Sequence, residues 1–402
     1  MISLADIEAA RERIRGAVRQ TPCVLSESLS LQLDCEVYLK LENLQRTGSF
    51  KERGALNRLL SLTPEERQRG VITASAGNHA QALSYHAGRL GIPVTVVMPE
   101  PAAINKVNAN RGFGARVVFH GALYDDAAVE AHRLEAAENL VYIHPFDNDL
   151  TLAGAGTIGL ELVEQIPGLQ AALLAVGGGG LAAGVAVALK GKLPYIKLIG
   201  VETRAFKTLE KSLEARERIT VPPATSIADG IQVRTIGERS FPILRDLLDE
   251  VVAVDDEEIA QAILTLLEQD KTVAEGAGAA PLAGLVRVAP KLKGRKVCLV
   301  ICGGNIDLNL LARIIERGLF KAGRWVKLRL SLPDQPGSLA QLTQTLSDRR
   351  AKVVEIWRDR VSAASPLSGV TVELTLETRG ETQLGELLAE LTAQGYDPQR
   401  FL

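Results

Sequence analysis

Four short motifs in this chain hold residues that can do chemistry together, and a lysine leads them. The stretch T-G-S-F-K-E-R-G, Thr47 to Gly54, places Lys51 after a Gly-Ser turn and at the start of a predicted helix from Ser49 through Leu60. A lone lysine is roughly ten times more often a solvated surface charge than a catalyst. One that forms a Schiff base must spend time unprotonated, so burial or a nearby cation has to lower its pKa. Phe50 offers an apolar wall for that purpose.

The other three motifs supply what such a lysine needs. S-A-G-N-H, from Ser75 through Ala76, Gly77 and Asn78 to His79, follows a strand and opens a helix. Free N–H groups at a helix start bind anions, and a substrate carboxylate is one. Asn78 could hydrogen-bond a phenolic oxygen on a cofactor ring, although an Asx turn with an N-cap explains the same letters equally well. His79 reads as a structural helix residue. G-G-G-G-L, Gly177, Gly178, Gly179, Gly180 and Leu181, lies between an apolar strand and an Ala-rich helix. Four residues without side chains let several amides converge on one phosphate at a helix N-terminus. No G-K-[ST] follows, which argues against an ATP-binding P-loop. C-G-G-N, Cys302 to Asn305, ends another buried strand. The Cys302 thiol could face a ring heteroatom, but a neutral thiol holds a protonated ring nitrogen less well than a carboxylate would. Seen alone, Cys302 is also a small strand-end residue. Two weaker signals remain. Gly230, in A-D-G, could bring backbone against a flat ring. Glu275, in E-G-A-G-A, starts a helix and could be only a dipole-matched acid. Together the motifs describe a lysine that carries an aldehyde cofactor, a loop that holds it and a cradle for its phosphate.

The elements that must position these residues alternate. From Cys35 to Lys321, apolar strand patterns alternate with helical ones, which predicts parallel sheets covered on both faces. Ligands in such sheets bind beyond the carboxyl ends of strands, where the glycine motifs sit. Beyond Gly323 the pattern changes to one-sided alternation, W-V-K-L-R-L-S-L, K-V-V-E-I-W-R-D-R and G-V-T-V-E-L-T-L-E-T, interleaved with two helices. That predicts a separate antiparallel sheet with helices on one face.

Composition narrows the function classes. The 402 residues are 46% apolar and 23% charged, with a formal charge of -2. No strong field is available for nucleic acid or an anionic membrane. Cys23, Cys35, Cys298 and Cys302 show no metal-type spacing, and reduced thiols in a cytoplasmic protein are the simplest expectation. The N-terminus lacks a signal-peptide pattern. The uncharged stretch Ala171 to Leu189 is long enough to raise a membrane span. Its four glycines, each costing about 1 kcal/mol in a helix interior, argue against it.

Taken in order over roughly residues 5–320, these motifs resemble the threonine dehydratase and serine racemase group of pyridoxal-phosphate enzymes, of the tryptophan synthase β-like fold. The resemblance implies an α/β catalytic domain over residues 1–322, with a small parallel-sheet subdomain near 45–145 inserted in a large one. It implies that Lys51 carries pyridoxal 5'-phosphate and that Asn78 binds the ring hydroxyl. Gly177 to Leu181 would bind the phosphate and Cys302 the ring nitrogen. Phe50 and Gly230 would sandwich the ring, Glu275 would belong to the cofactor site, and Ser75 to His79 would hold the substrate carboxylate. Residues 325–402 resemble an ACT domain, an α+β ferredoxin-like βαββαβ module that senses amino acids. Asp334, Pro336 and Gly337 match its turn.

Departures from the family pattern refine the reading. Racemases carry a serine proton donor where this chain has Ala76, so elimination is favoured over racemisation. Their cation site is matched by Glu202, but its acidic partner is Thr208 here, so no metal is expected. The implied activity is L-threonine ammonia-lyase, with L-serine as a second substrate. Serine or 3-hydroxyaspartate dehydratase, serine racemase and a catalytically weak amino-acid sensor are the alternatives. A feedback effector such as isoleucine or valine and a homo-oligomer, dimer or tetramer, are expected with the sensor domain.

Overall fold

The computed structural model describes residues 1–360 and 369–401. It contains two compact units, residues 1–306 and 307–402.

Among the described residues of the first unit, the strands are β1 (Cys23–Leu25), β2 (Glu36–Lys40), β3 (Val71–Ala74), β4 (Val94–Met98), β5 (Arg116–Phe119), β6 (Val141–Tyr142), β7 (Ala171–Ala175), β8 (Lys197–Thr203), β9 (Glu250–Val254) and β10 (Lys296–Val300). They form a six-stranded sheet, β1-β2-β10-β7-β8-β9, and a four-stranded sheet, β5-β4-β3-β6. Every pairing is parallel except β1 with β2. Strands β3, β4 and β7 are buried at every position, which is why they read as continuous apolar runs rather than alternating ones. The three-residue edge strand β1 gave no such signal. The stretch Ala171 to Leu189 divides into β7, the glycine loop and a helix, Gly180–Lys192. Among the described residues no helix is long and apolar enough to cross a membrane.

Glycine contacts brace the helices that carry the motifs. The lysine helix, Lys51–Leu60, crosses the helix Asp149–Gln165 at Gly54 and Gly154. A Cβ on Gly154 would lie 2.6 Å from Arg53 O, so the two backbones touch. Two residues on, toward the other face of that helix, a Cβ on Gly156 would lie 2.8 Å from Gly184 O in the helix Gly180–Lys192. The lysine helix and the glycine-loop helix are therefore fixed to one intermediate helix at backbone distance, with little room to drift.

The second unit holds β11 (Trp325–Pro333), β12 (Lys352–Asp359), β13 (Gly369–Glu377) and β14 (Gln399–Phe401), in the order β12-β13-β11-β14. Its pairings are antiparallel. Helices Ser338–Asp348 and Glu381–Ala393 complete a βαββαβ order. Val326, Leu328, Leu330 and Leu332 alternate along β11 and pack with Leu342, Leu346, Leu384, Leu387 and Leu391 of those helices. The connection from β12 to β13 lies outside the described residues. The helix Leu308–Lys321 falls in this unit and packs against β11.

Candidate active site

The lysine motif and C-G-G-N are zipped together. Phe50 N–H donates to Cys302 O at 3.0 Å, Gly304 N–H donates to Gly48 O at 2.9 Å, and Ser49 bridges Gly303. This places Cys302 beside the first turn of the lysine helix, at the carboxyl end of β10. Lys51 Nζ donates to Pro145 O at 2.8 Å and lies 5.2 Å from the centre of the Phe50 ring. Burial lowers its pKa to about 8, against the opposing pull of Cys302 and Glu275. Burial and Glu275 both push the Cys302 thiol well up, so it stays protonated.

Asn78 and Glu275 meet across the cleft. Asn78 Nδ2 donates to Glu275 Oε1 at 2.7 Å, and Asn305 Nδ2 donates to Asn78 Oδ1 at 2.8 Å and to Thr47 O at 2.7 Å. Glu275 is thus more than an acid at a helix start. It is the N-cap residue of the helix Gly276–Val288 but makes no capping bond, and its carboxyl turns inward to Asn78. Burial, aided by Asp229, raises its pKa to about 7. Gly303 leaves it room, since a Cβ there would lie 2.8 Å from Glu275 Cδ and 3.1 Å from Asn78 Nδ2. Gly230 is close by, because a Cβ on it would lie 3.5 Å from Glu275 Oε1.

The glycine loop has the form of an anion cradle. The amides of Gly177, Gly178, Gly179, Gly180 and Leu181 have no acceptor among the described residues, and they stand at the start of a 13-residue helix. Gly179 has φ +88°, which lets successive amides converge. Phe146 packs on Gly178 and Gly180, and a Cβ on Gly177 would lie 2.8 Å from Ile231 Cα, so side chains are excluded there by packing as well. Gly180 and Leu181, the last two residues of the loop, line a cleft with Phe50, Lys51, Pro145 and Phe146. Five unspent amides at a helix N-terminus, the last two of them from residues that line one cleft with a lysine of lowered pKa, fit a phosphorylated aldehyde.

The second helix-start loop is also unspent. Gly77 N–H donates to Ser75 Oγ at 3.2 Å, whereas the amides of Asn78, His79 and Ala80 have no acceptor among the described residues. The His79 ring is buried. Its Nε2 lies 3.1 Å from Ile143 O, and burial together with Lys51 lowers its pKa to about 3. Ala76 is half-buried and packs on the core of the four-stranded sheet. Glu202 caps the helix Thr208–Ala215, accepting from Leu209 N–H at 2.6 Å and Glu210 N–H at 2.9 Å.

Sequence reasoning missed the buried ion network behind the lysine. Arg53 Nε and one terminal nitrogen donate to Glu42 at 2.8 and 2.7 Å, and Arg53 donates to both oxygens of Glu161 at 2.6 and 2.9 Å. Lys40 Nζ reaches Glu161 at 2.5 Å. The available signal was Glu161 itself, an acid inside the apolar run A-G-A-G-T-I-G-L-E-L. Asn305 closes the C-G-G-N motif, but nothing in the sequence marks its bond to Asn78, and the Pro145 carbonyl carries no sequence signal.

A family model described as "Pyridoxal-phosphate dependent enzyme" matches residues 14–303. The chain is 44% identical to the L-threonine ammonia-lyase of Geobacter sulfurreducens over 397 residues, 98% of each chain. It is 43% identical to that of Thermotoga maritima over 399 residues, 99% of each chain. The processed form of threonine deaminase isoform 2 from Solanum lycopersicum superposes with a TM-score of 0.74 at 36% identity, covering 78% of this chain and 91% of that one.

Proposed function

Because this chain belongs to the family of pyridoxal-phosphate dependent enzymes, we propose that it is an L-threonine ammonia-lyase that releases 2-oxobutanoate and ammonia and also accepts L-serine. One observation carries the reading: a lysine of lowered pKa shares a cleft with Gly180 and Leu181, the end of a loop whose five amides are unspent at a helix start. The likeness to L-threonine ammonia-lyases along nearly the whole chain selects the substrate.

Pyridoxal 5'-phosphate, when bound, draws electrons from the substrate's α-carbon, so that its C–H bond becomes acidic and a β-hydroxyl can leave. Lys51 is assigned to the cofactor's aldehyde, the amides of Gly177 to Leu181 to its phosphate, Asn78 to the ring hydroxyl, Cys302 to the ring nitrogen, and Phe50 and Gly230 to the ring faces. Glu275 supports Asn78. The free amides at the start of the helix Asn78–Arg89 orient the substrate carboxylate, in a loop of Ser75, Ala76, Gly77, Asn78 and His79. Lys51 in its neutral form takes the α-proton. The β-hydroxyl leaves as water, and the released enamine takes up one water to give the oxo acid and ammonia. Threonine thus equals 2-oxobutanoate plus ammonia in atoms.

Two features support elimination over racemisation. The Ala76 methyl offers no proton for the opposite face of the α-carbon. Cys302 stays a neutral thiol, which makes a weaker electron sink than a carboxylate partner would.

The second unit is assigned to amino-acid sensing of the ACT type, supported by its βαββαβ order and by the Asp334, Pro336 and Gly337 turn. Its effector is proposed as isoleucine or valine, acting in a cytoplasmic homo-oligomer, dimer or tetramer. Deleting the residues after Gly323 is expected to remove any amino-acid effect and leave catalysis. Inhibition that persists would place the sensor elsewhere.

The experiment for the activity is 2-oxo acid release by the cofactor-bound protein with L-threonine, L-serine and threo-3-hydroxyaspartate side by side. Fastest turnover of threonine is expected. Preference for hydroxyaspartate would change the substrate, and no oxo acid from any of them would overturn the lyase reading.

A further inference from the structure

Thr151 stands in the first turn of the helix Asp149–Gln165, where its amide is capped by Asn148 Oδ1 at 3.3 Å. The residue is 6% exposed, and its hydroxyl has no hydrogen-bond partner among the described residues. Helical threonines commonly pass this proton to a carbonyl three or four residues back. Thr157, on the same helix, does so to Gly154 O at 2.7 Å. Thr151 does not, and so it holds a buried donor in reserve.

Its surroundings say what that donor is for. The Thr151 methyl is already engaged, since a Cβ on Gly54 would lie 2.8 Å from Thr151 Cγ2. The residue lines one cleft with Lys51, Pro145, Phe146, Gly180 and Leu181, and among the described residues no acidic side chain lines that cleft. Two of those residues belong to the amide cradle. An unspent hydroxyl beside unspent amides, with no anion to oppose them, is a donor set for an anion.

We propose that Thr151 Oγ1 is a side-chain donor to the cofactor's phosphate, completing a cradle that is otherwise backbone. The inference rests on the cofactor assignment above and adds to it a residue outside the glycine loop.

The test compares binding of pyridoxal 5'-phosphate and of pyridoxal, which lacks the phosphate, to the full-length chain by absorbance titration. Thr151→Val keeps the shape and removes the hydroxyl, and Thr151→Ser keeps the hydroxyl and removes the methyl. Thr151→Val is expected to weaken pyridoxal 5'-phosphate about tenfold, the loss of one hydrogen bond to a charged group, and to leave pyridoxal unchanged. Thr151→Ser is expected to bind both like the parent. Unchanged phosphate-form affinity in Thr151→Val would overturn the proposal. So would equal weakening of both compounds, which marks packing, or a loss seen only in Thr151→Ser. A parent protein that binds neither compound would sink the cofactor assignment first, and its turnover of threonine reports on that separately.

Discussion

Asn78 Nδ2 donates to Glu275 Oε1 at 2.7 Å while Asn78 Oδ1 accepts from Asn305 at 2.8 Å, so both ends of one amide are fixed. An amide nitrogen carries two protons. One is used by Glu275, and the flip state held by Asn305 keeps the nitrogen, with its second proton, as the donor end. A donor there suits a ring oxygen and would repel a ring cation. Asn305→Ala frees the amide to rotate, and a fall of about tenfold in kcat/KM is expected, with folding retained. Asn78→Asp, which replaces the donor by a carboxylate, is expected to cost more. Steady-state kinetics on the two variants checks the order, and equal rates in Asn305→Ala and the parent would refute it.

Lys51 makes a prediction with a pH signature. Only its neutral amine can attack an aldehyde, and burial holds its pKa at about 8. The neutral fraction then rises about tenfold from pH 7 to pH 9 and levels off. A lysine at the ordinary 10.5 would rise about a hundredfold over the same range with no plateau. The rate at which cofactor-free protein captures pyridoxal 5'-phosphate, followed by absorbance across pH 6.5 to 10, separates the two. Lys51→Ala is expected to abolish both capture and turnover.

These two residues also show where sequence reading stops. The placement of Lys51, Asn78, the four glycines and Cys302 at strand ends and helix starts is legible, because short motifs record such places locally. The parallel sheets were legible because β3, β4 and β7 are buried at every position. Glu275 reads locally as a helix-start acid, and only the family resemblance points it to the cofactor site, because nothing local reveals that its partner is 197 residues away. The Pro145 carbonyl that receives Lys51 is backbone and has no letter of its own. Contacts set by tertiary packing, such as Arg53 on Glu161, leave only an indirect trace: an acid in an apolar helix.

Glu202 predicts how stability responds to pH. Burial raises its pKa from 4.5 to about 7, in spite of the two amides that favour its charged form. Below pH 4.5 this carboxyl is protonated in folded and unfolded chains alike, and its contribution is fully present. Between pH 4.5 and 7 only the folded chain retains the proton, so stability is lost as pH rises through that window, by on the order of 3 kcal/mol. Glu202→Gln cannot titrate. The stability of the parent relative to this variant, from urea denaturation, is expected to fall across that window and then stay level. A difference that does not change with pH would show that the carboxyl is not held neutral.

The network behind the lysine predicts a stability cost that one substitution exposes and a concerted one removes. Arg53 and Lys40 are balanced by Glu42 and Glu161, all buried, and Arg53 lies two residues beyond Lys51 on the same helix. Removing Glu161 leaves two buried cations facing one carboxylate. Glu161→Leu is expected to destabilise the protein by about 3–5 kcal/mol, because an uncompensated charge is left in the interior. Replacing Lys40, Glu42, Arg53 and Glu161 together by apolar residues of similar volume is expected to recover most of that loss, since a buried ion pair contributes little net stability against well-packed apolar groups. Urea denaturation of both variants measures the difference. The multiple variant should still lose turnover, because Arg53 also tethers the lysine helix to the strand end at Glu42 through two hydrogen bonds. If it keeps full turnover, the network serves stability alone and does not position Lys51.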